Sequence, residues 1–493
     1  MAADSYDSGT MGILGSISRE NIFPYIAREF ISGLPKDVAP SMQGKVGFDI
    51  VKEGALKTLF KFEGVYDREA FDERGEGVLR LIFKYWWPNE RMEGMPDGFI
   101  MGNGDVAPWE VERRQYQFLG GIAGVPKARH ITEVLRNQGI PEEKIGKIAE
   151  SVPYLNRAMI FEYFDFETLE SIMGDMQDVP EKRKRIIGDS LDSVIAFQNQ
   201  ASNKLKRSGN GDAVNILYHE RDLSTKAMLY AAALLGLENP DQVPKKVQDD
   251  LMAGLRPVRR FYYSDEGEQG ARTLVPPVVC HGDLNLSNIA CTDLTDNGKG
   301  SHILFDPKIR VNDGITDIGC MLASYGVALG PRDWHEIGRE YREKQYRKFG
   351  ATDQESTFGK WVNKWFNVKS GGMGVSDEIL IHDRAALDLN ILWNSYRNLA
   401  KHTIMQRFFP EHYGKILKSR PLLASAEEQM PRNIDYAIDD LMKNASKLGV
   451  GREIDDFHRL SLAFGEMGIL PSSQTSYEGF GNYRVGRAKA AEA

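Results

Sequence analysis

One segment of the 493-residue sequence, VVCHGDLNLSN, constrains the fold more than any other. The apolar residues at its start predict a short strand that leads His281 and Asp283 into a loop. Asn288 follows five residues after Asp283. The segment therefore predicts a strand and a loop that carry a carboxylate and an amide at a fixed spacing.

The residues after this loop predict a β-hairpin. Strands are expected over Ile289–Asp293 and Ile303–Phe305, and the polar sequence DNG between them supplies the turn. Asp306 comes directly after the second strand. Because a hairpin returns the chain to its start, we expect Asp306 to lie near Asn288. Two carboxylates and one amide would then surround one cleft.

This set of oxygen-bearing side chains fits phosphoryl transfer from ATP. A carboxylate can accept the proton of an attacking hydroxyl, while Asn and Asp oxygens can hold Mg²⁺ against the phosphates. Any one of these residues alone is better explained as a turn residue or a cap, since Asp and Asn are common in loops. Their order, with a hairpin between them, favours the catalytic interpretation.

The pattern His-x-Asp-x-x-x-x-Asn, followed by an Asp at a strand end, resembles the catalytic motif of the kinase superfamily. Its form here, HGDLNLSN, most resembles the aminoglycoside phosphotransferase and choline kinase-like branch. Protein kinases usually carry Arg at the position of Gly282, and Asp-Phe-Gly in place of the Asp-Pro-Lys at 306–308. The resemblance therefore favours a kinase of small molecules.

The resemblance implies a role for each residue of the motif. Asp283 would be the catalytic carboxylate, and His281 would support it, more as a hydrogen-bonded orienting residue than as a proton shuttle. Asn288 and Asp306 would hold Mg²⁺. Asp317, in the sequence TDIG, is similar to the family's structural Asp that anchors the catalytic loop.

The resemblance also implies a lysine that positions the ATP phosphates and a glutamate that holds this lysine. Lys84 ends the apolar strand segment LIFK, and Glu112 begins the helical segment ERRQYQFL. Arg80 competes with Lys84, because alternation along a strand puts both on the same side. Glu110 competes with Glu112, although its spacing to the end of the helix fits less well.

Two further segments would contact the nucleotide. The sequence EGALKT, which contains Gly54, lies where a loop covering the phosphates is expected. The strand segment MIFEY ends in Glu162 and Tyr163 and resembles the linker between lobes, whose backbone recognises adenine.

The fold class expected is α+β, with a bilobal protein kinase-like fold. A small antiparallel β N-lobe would bind the nucleotide, and a larger, mainly helical C-lobe would carry the catalytic loop and the acceptor site. The expected domains are an N-terminal extension at 1–45, an N-lobe at 46–164, a C-lobe at 165–470 and a flexible tail at 471–493.

Local patterns predict the individual elements. The extension contains one short helix within 17–31, and residues 88–107 form a long loop. Strands are expected at 50–51, 56–62, 78–86 and 158–163, and the polar turn from Asp67 to Gly77 predicts that the second and third of them form a hairpin. Helices are expected at 108–119, around 186–195, and at 224–236, 245–255, 333–348, 384–407 and 434–447.

C-lobe helices build the acceptor pocket in this family, so one predicted helix has two interpretations. It carries Asp388, Asn390 and Asn394 beside Trp393 and Tyr396. These polar residues contact the acceptor, or they belong to an ordinary capped and solvated helix.

The composition of the chain limits the classes of protein to which it can belong. The 62 Lys and Arg residues against 70 Asp and Glu residues give a net charge of −8, which argues against a general nucleic-acid binder. The three cysteines form no disulfide or zinc pattern and are expected to be buried, reduced thiols. No signal peptide and no membrane-spanning segment is indicated, so a cytoplasmic location is expected.

The function expected is Mg²⁺-dependent transfer of the ATP γ-phosphoryl group to a hydroxyl of a small-molecule acceptor, such as an amino sugar or an amino alcohol. Two alternatives stay open: the same fold acting on a protein side chain, and a non-catalytic nucleotide-binding regulatory or scaffold protein. The complete set of Asp283, Asn288 and Asp306 disfavours the scaffold. The sequence does not indicate the acceptor, the preference for ATP or GTP, or the oligomeric state.

Overall fold

The computed structural model describes residues 46–53, 57–67, 76–86, 108–151, 157–162, 166–174, 179–208, 223–262, 275, 277–292, 301–350, 377–408, 410–444 and 453–470. The predicted helix within 17–31, the predicted loop at 88–107 and the predicted tail from 471 lie outside these residues. So do Gly54 and Tyr163.

The chain divides into two compact units, each with its own sheet or sheets and its own helices. The first comprises Met1–Gly94, Val106–Gly121 and Val125–Asp165. The second comprises Met95–Asp105, Ile122–Gly124 and Phe166–Ala493. The described part of the protein is a mixture of helices and strands, mostly helical, with small antiparallel sheets.

The first unit is built on a five-stranded antiparallel sheet with the strand order β1-β2-β3-β5-β4. The strands are β1 Val46–Glu53, β2 Lys57–Asp67, β3 Glu76–Trp86, β4 Ala128–His130 and β5 Ala158–Glu162. The pairing of β2 with β3 confirms the predicted hairpin. All five residues from Leu81 to Tyr85 are buried, so both faces of β3 are covered at this point. This explains why the segment LIFKY is apolar on both faces except at Lys84.

Three helices complete the described part of the first unit: α1 Pro108–Leu119, α2 Ile131–Asn137 and α3 Glu142–Ser151. The bounds of α1 are those predicted, and its buried residues form a stripe of Val111, Glu112, Gln115, Tyr116 and Leu119. The stripe places one carboxylate, that of Glu112, on the apolar face of the helix. The sequence did not predict β4, α2 or α3, since a strand of three residues has too little alternation to detect.

The second unit is mainly helical. Its described helices are α4 Leu169–Gly174, α5 Pro180–Ser208, α6 Leu223–Leu234, α7 Lys245–Gly254, α8 Arg256–Tyr262, α9 Ile315–Leu322, α10 Pro331–Gly350, α11 Asp377–Phe408, α12 Pro410–Ser419, α13 Ala426–Lys443 and α14 Ile454–Glu466. Short 3₁₀ turns occur at Pro240–Gln242, Leu286–Asn288 and Pro421–Ser425. Every residue of α11 from Ala385 to Ala400 is buried, so this helix is the centre of the unit.

Helix α13 differs from its prediction. The predicted helix runs from 434 to 447, and a proline inside a helix removes a hydrogen bond. The structure begins the helix at Ala426 and includes Pro431 within it. The sequence also gave no indication of α4, α8, α12 or α14.

Two small sheets interrupt the helices of the second unit. One contains β6 Glu167–Thr168, β8 Ile289–Thr292 and β9 Ser301–Leu304, and the other pairs β7 Val278–Cys280 with β10 Arg310–Asn312. The antiparallel register of β8 and β9 confirms the predicted hairpin, although its turn lies outside the described residues. The hairpin therefore brings the end of the loop after β7 next to the residues that follow β9.

Helix α9 approaches α11 unusually closely. A Cβ atom built on Gly319 would lie 2.4 Å from the Cβ of Asn390, a separation that real side chains do not adopt. Glycine at this position therefore lets α9 pack directly against α11. Since Asp317 lies on α9 and Arg397 on α11, the crossing brings residues from both helices to the loop after β7.

Two expectations drawn from composition can be compared with the structure. Cys280, Cys291 and Cys320 are all buried and none forms a disulfide, as predicted. None of the described helices combines the length and the hydrophobicity that crossing a bilayer requires.

Candidate active site

The loop after β7 is bonded to the segment after β9. The backbone N–H of Lys308 donates to the carbonyl of His281 at 2.8 Å. Gly282 has φ of 77°, and a Cβ atom built on it would lie 2.1 Å from the Lys308 carbonyl oxygen. The loop therefore requires glycine at 282, both for its left-handed backbone and for this close contact.

Asp317 fixes the same loop from α9. Its Oδ2 accepts the backbone N–H of His281 and its Oδ1 accepts that of Gly282, both at 2.9 Å. The Gln198 side chain donates to Oδ2 at 3.0 Å. Asp317 is buried, so these bonds satisfy its carboxylate and hold the loop in one conformation.

His281 is also buried, and it links the loop to β9. Its Nε2 lies 3.1 Å from the carbonyl of Phe305, to which it donates. Burial lowers the pKa of His281, although the charges of Asp317 and Asp283 act in the opposite direction. His281 therefore positions the backbone before Asp306 and has no exposed surface with which to contact a substrate.

Asn288 and Asp306 flank the hairpin. The backbone N–H of Phe305 donates to the carbonyl of Asn288 at 3.1 Å, which places Asp306 one residue beyond this contact. The Asn288 Nδ2 donates to the carbonyl of Asp283 at 2.9 Å. That bond fixes the orientation of the amide and leaves Oδ1 as an acceptor, with no hydrogen bond to it from any described residue.

Asp306 adopts a left-handed backbone conformation with φ of 68°. Apart from Asp306, only Ala328 has a positive φ among the described non-glycine residues. Such a conformation is uncommon and mildly strained for a residue with a side chain, and it clusters at functional sites. Together, Asp306 and the Asn288 Oδ1 offer a donor set made only of oxygen, which fits Mg²⁺.

Asp283 lies between two cationic side chains. The Lys308 Nζ is 2.5 Å from its Oδ2, and the Arg397 Nη2 is 2.9 Å from its Oδ1. Burial acts to raise the pKa of this carboxyl, but the charges of Lys308, Arg397 and Lys401 outweigh it and hold the pKa well below its usual range. Asp283 is therefore ionised throughout the physiological pH range.

The sequence did not assign Lys308, Arg397 or Lys401 to the site. The α11 residues that the sequence did suggest form hydrogen bonds within the unit instead. Asn390 and Asn394 each donate to a backbone carbonyl one turn earlier in the helix. Lys308 could have been found from the sequence, because it lies two residues after Asp306.

The remaining α11 candidates are also internal. Asp388 accepts from His335 at 3.1 Å. Trp393 and Tyr396 are buried in the core of the unit. The structure thus favours the second interpretation of these residues. They are ordinary helix residues, although they are buried and not solvated as that interpretation expected.

In the first unit, Lys84 and Glu112 form a buried ion pair between β3 and α1. The two competitors are engaged elsewhere. Arg80 is exposed and pairs with Glu63 at 2.9 Å, while Glu110 pairs with its helix neighbours Arg113 and Arg114. The structure therefore brings together the lysine and the glutamate that the sequence preferred.

Glu162 ends β5 with an exposed side chain, 3.6 Å from the Lys127 ammonium. Its backbone N–H donates to the Lys127 carbonyl at 3.2 Å, so that donor is already used. Gly54 and Tyr163 lie outside the described residues.

Two other groups of histidine and aspartate lie in the second unit: Asp313, His382 and Asp383 in one, and His335, Asp388 and Asp440 in the other. In the first, Arg342 already bonds to Asp313 at 3.0 Å and to Asp383 at 2.7 Å. In the second, Arg384 bonds to Asp440. In each group a guanidinium already forms an ion pair with at least one of the carboxylates, so each group is an ion-pair network.

No protein-family model matches this sequence, and none of the curated proteins matches it. Several solved structures resemble the chain at low sequence identity. A choline kinase from Cryptosporidium parvum is 12% identical, over 88% of this chain and 99% of its own, with a TM-score of 0.45. An ethanolamine kinase from Plasmodium vivax is 12% identical, over 86% of this chain and 98% of its own, with a TM-score of 0.39.

The GDP complex of aminoglycoside 2'-phosphotransferase-IIIa is also 12% identical, over 82% of this chain and 98% of its own, with a TM-score of 0.36. Because these TM-scores are below 0.5, the function proposed below is inferred from the residues of the site. The solved structures that resemble this chain bear the names of the choline kinase and aminoglycoside phosphotransferase family that its HGDLNLSN motif resembles.

Proposed function

We propose that this protein is a Mg²⁺-dependent phosphotransferase that moves the γ-phosphoryl group of ATP to a hydroxyl of a small molecule. One observation carries the proposal: an ionised Asp283 and the open Oδ1 of Asn288 lie on the loop after β7, and the strained Asp306 lies on the segment after β9 that is hydrogen-bonded to that loop. Asp317 and the glycine at 282 fix that loop from two sides.

Asp283 would orient the acceptor hydroxyl. A carboxylate whose pKa is well below its usual range is a weak base, so it does not remove the proton before the reaction. Phosphoryl transfer passes through a loose transition state, in which the hydroxyl becomes acidic only late. Asp283 therefore accepts a hydrogen bond first and the proton last, while Lys308 and Arg397 keep its carboxylate in place.

Asn288 and Asp306 would hold Mg²⁺, with Oδ1 of the amide and the carboxylate as ligands. When bound, the ion neutralises charge on the ATP phosphates. The hairpin places both residues at the end of the same small sheet, and the bond from Asn288 to the Asp283 carbonyl keeps the amide aligned.

Lys84 would position the phosphates of ATP, and Glu112 would hold its ammonium. Replacing Lys84 with Met should raise the KM for ATP or lower kcat by about 10- to 100-fold, since a hydrogen bond to a charged group contributes roughly 1.5–3 kcal/mol. Replacing Arg80 with Met should change either constant less than about twofold, because exposed ion pairs contribute little. Steady-state kinetics at varied ATP measure both effects.

The Lys84 change also leaves Glu112 buried without its counterion. A Lys84→Met, Glu112→Gln double variant removes that effect and should keep the same kinetic defect. A defect confined to Arg80→Met would show that the phosphates are bound by the other residue.

The proposal itself is tested by ADP release from purified protein, ATP and Mg²⁺ with a panel of hydroxylated metabolites, and by mass spectrometry of the acceptor. We expect acceptor-dependent ADP release and a phosphorylated alcohol, both lost in Asp306→Asn. A parallel arm with GTP identifies the preferred nucleotide. Nucleotide binding without turnover on any acceptor would favour the scaffold alternative. Phosphate incorporated into a protein, but into no metabolite, would favour the protein side-chain alternative.

A further inference from the structure

The two cations that contact the Asp283 carboxylate differ in their exposure to solvent. Arg397 is bonded to Oδ1, and its side chain is 6% exposed. Lys308 is bonded to Oδ2, and its side chain is 25% exposed. Of the two, Lys308 is therefore the cation that a ligand from solution can reach.

The backbone of Lys308 is fixed to the loop after β7, while its side chain is flexible. The backbone N–H donates to the His281 carbonyl at 2.8 Å, and the Lys308 carbonyl packs against Gly282. The ammonium lies at the end of a flexible four-carbon stem. It can therefore turn towards a ligand beside Asp283 without any movement of the loop.

The Lys308 ammonium has hydrogen-bonding capacity beyond its ion pair. An ammonium carries three N–H donors. Among the residues that the structure describes, the Asp283 carboxylate is the one group that accepts a hydrogen bond from it. Two N–H groups of Lys308 can thus donate to a ligand. Anionic oxygens are the best acceptors for them, because charge-assisted hydrogen bonds are the strong ones.

The position of Lys308 in the chain places this ammonium between the two ends of the proposed reaction. Asp306, the candidate metal ligand, precedes it by two residues, and Asp283, which would hold the acceptor hydroxyl, contacts it directly. In-line transfer requires the phosphoryl group to lie between the attacking hydroxyl and the remaining phosphates. Reacting atoms in such a geometry are about 3–3.5 Å apart. The phosphoryl group would therefore pass within reach of the Lys308 ammonium.

We propose that Lys308 is a catalytic residue that donates hydrogen bonds to the phosphoryl group while this group passes from ATP to the acceptor. The inference rests on the proposed phosphotransferase function. Negative charge spreads over the three equatorial oxygens of the group in transit, and a cation placed beside them lowers the barrier.

Lys308 takes no part in the covalent changes. The bond from the γ-phosphorus to the leaving oxygen of ADP breaks, and a bond from the same phosphorus to the acceptor oxygen forms. The acceptor proton passes to Asp283, and the ammonium keeps all its protons. The role of Lys308 is therefore electrostatic, and a mimic of the planar phosphoryl group should detect it without turnover.

The affinity for ADP, Mg²⁺ and aluminium fluoride, an anionic mimic of the group in transit, is the first measurement. By titration calorimetry, Lys308→Met should bind this mimic about 10- to 100-fold more weakly than the wild type, the usual effect of losing a hydrogen bond to a charged group. It should bind ADP and Mg²⁺ without fluoride as the wild type does. Its kcat should fall by a factor similar to the loss of mimic affinity.

The Asp283→Asn protein separates this role from that of merely holding the Asp283 carboxylate. If Lys308 binds the phosphoryl group, adding Lys308→Met to Asp283→Asn should weaken mimic binding by a similar factor again. If Lys308 acts only through Asp283, the added change will leave the affinity as it is in Asp283→Asn, and the inference is wrong. In this background the lost ammonium leaves no buried carboxylate behind, so misfolding does not imitate the effect.

Lys344→Met is the matched control. Lys344 lies on α10, is 24% exposed and pairs with Asp192 at 3.1 Å, so it resembles Lys308 in exposure and pairing. This variant should keep the wild-type kcat and mimic affinity. Full turnover and mimic affinity in Lys308→Met would overturn the inference and leave the phosphotransferase proposal intact. A wild-type protein that binds neither ADP nor the mimic and turns over no acceptor would reject both.

Discussion

Replacing Asp283 with Asn is expected to lower kcat by about 10²–10⁴-fold, the usual effect of removing a positioned acid–base group. The KM for ATP should change little, because Asp283 faces the acceptor in the proposed mechanism. Asn keeps the size of the side chain and one acceptor oxygen while it removes the charge. Steady-state kinetics, with nucleotide affinity measured separately by titration, check this expectation.

A loss of structure could imitate this result, since Asp283 is buried against two cations. Breaking a buried ion pair destabilises proteins by roughly 3–5 kcal/mol. An Asp283→Asn, Arg397→Met double variant also removes one of the two cations that contact Asp283, so the free energy of unfolding should recover in part. If kcat recovered with it, Asp283 would have a structural role only. A loss confined to ATP affinity would place Asp283 in the nucleotide site.

The second large effect is expected at Asp306. Asp306→Asn should lower kcat by more than about 100-fold, because even residues outside the ligand shell of a metal contribute 10- to 100-fold to binding or activity. Nucleotide affinity should weaken less, and the Mg²⁺ concentration for half-maximal activity should rise. Kinetics over a range of Mg²⁺ concentrations, together with nucleotide titration, measure these quantities.

Asn is a suitable replacement here because of the backbone. Asp306 has φ of 68°, and Asn adopts this left-handed region as readily as Asp does. The variant therefore removes the charge without adding strain, and its Tm should stay close to that of the wild type. Asp306→Ala gives the contrast, since it adds backbone strain. Full activity in Asp306→Asn would exclude this residue as a metal ligand.

The parts of the site that the sequence predicted are local along the chain. The strand, loop and hairpin from 278 to 306 are continuous, so spacing and alternation were enough to bring Asp283, Asn288 and Asp306 together. The Lys84–Glu112 pair could be chosen over Arg80 and Glu110 only by preference. In the structure β3 is buried at Lys84 and exposed at Arg80, a difference that comes from packing and not from the local sequence.

Arg397 and Lys401 could not be predicted in the same way. Arg397 lies 114 residues after Asp283, so only the three-dimensional packing places the two together. Helix α11 is buried on all sides from Ala385 to Ala400. A helix without an apolar stripe does not reveal which of its faces meets a neighbour. The sequence therefore could identify the helix but not the residues that it delivers to the site.

The positions of the cysteines have a consequence for the chemistry of the folded protein. Cys280 precedes His281, Cys291 lies in β8 beyond Asn288, and the Cys320 Sγ is 3.9 Å from Arg397. Burial raises the pKa of Cys280 well above its usual value and that of Cys320 to about 11.

Alkylating reagents and oxidants react with the thiolate, so the folded protein, in which these thiols are buried, resists both. Reaction requires a local opening that exposes the sulfur to solvent. Since Cys280 and Cys291 lie on either side of the loop and Cys320 contacts Arg397, the rate at which thiol reagents modify the protein reports how often the protein opens around this site.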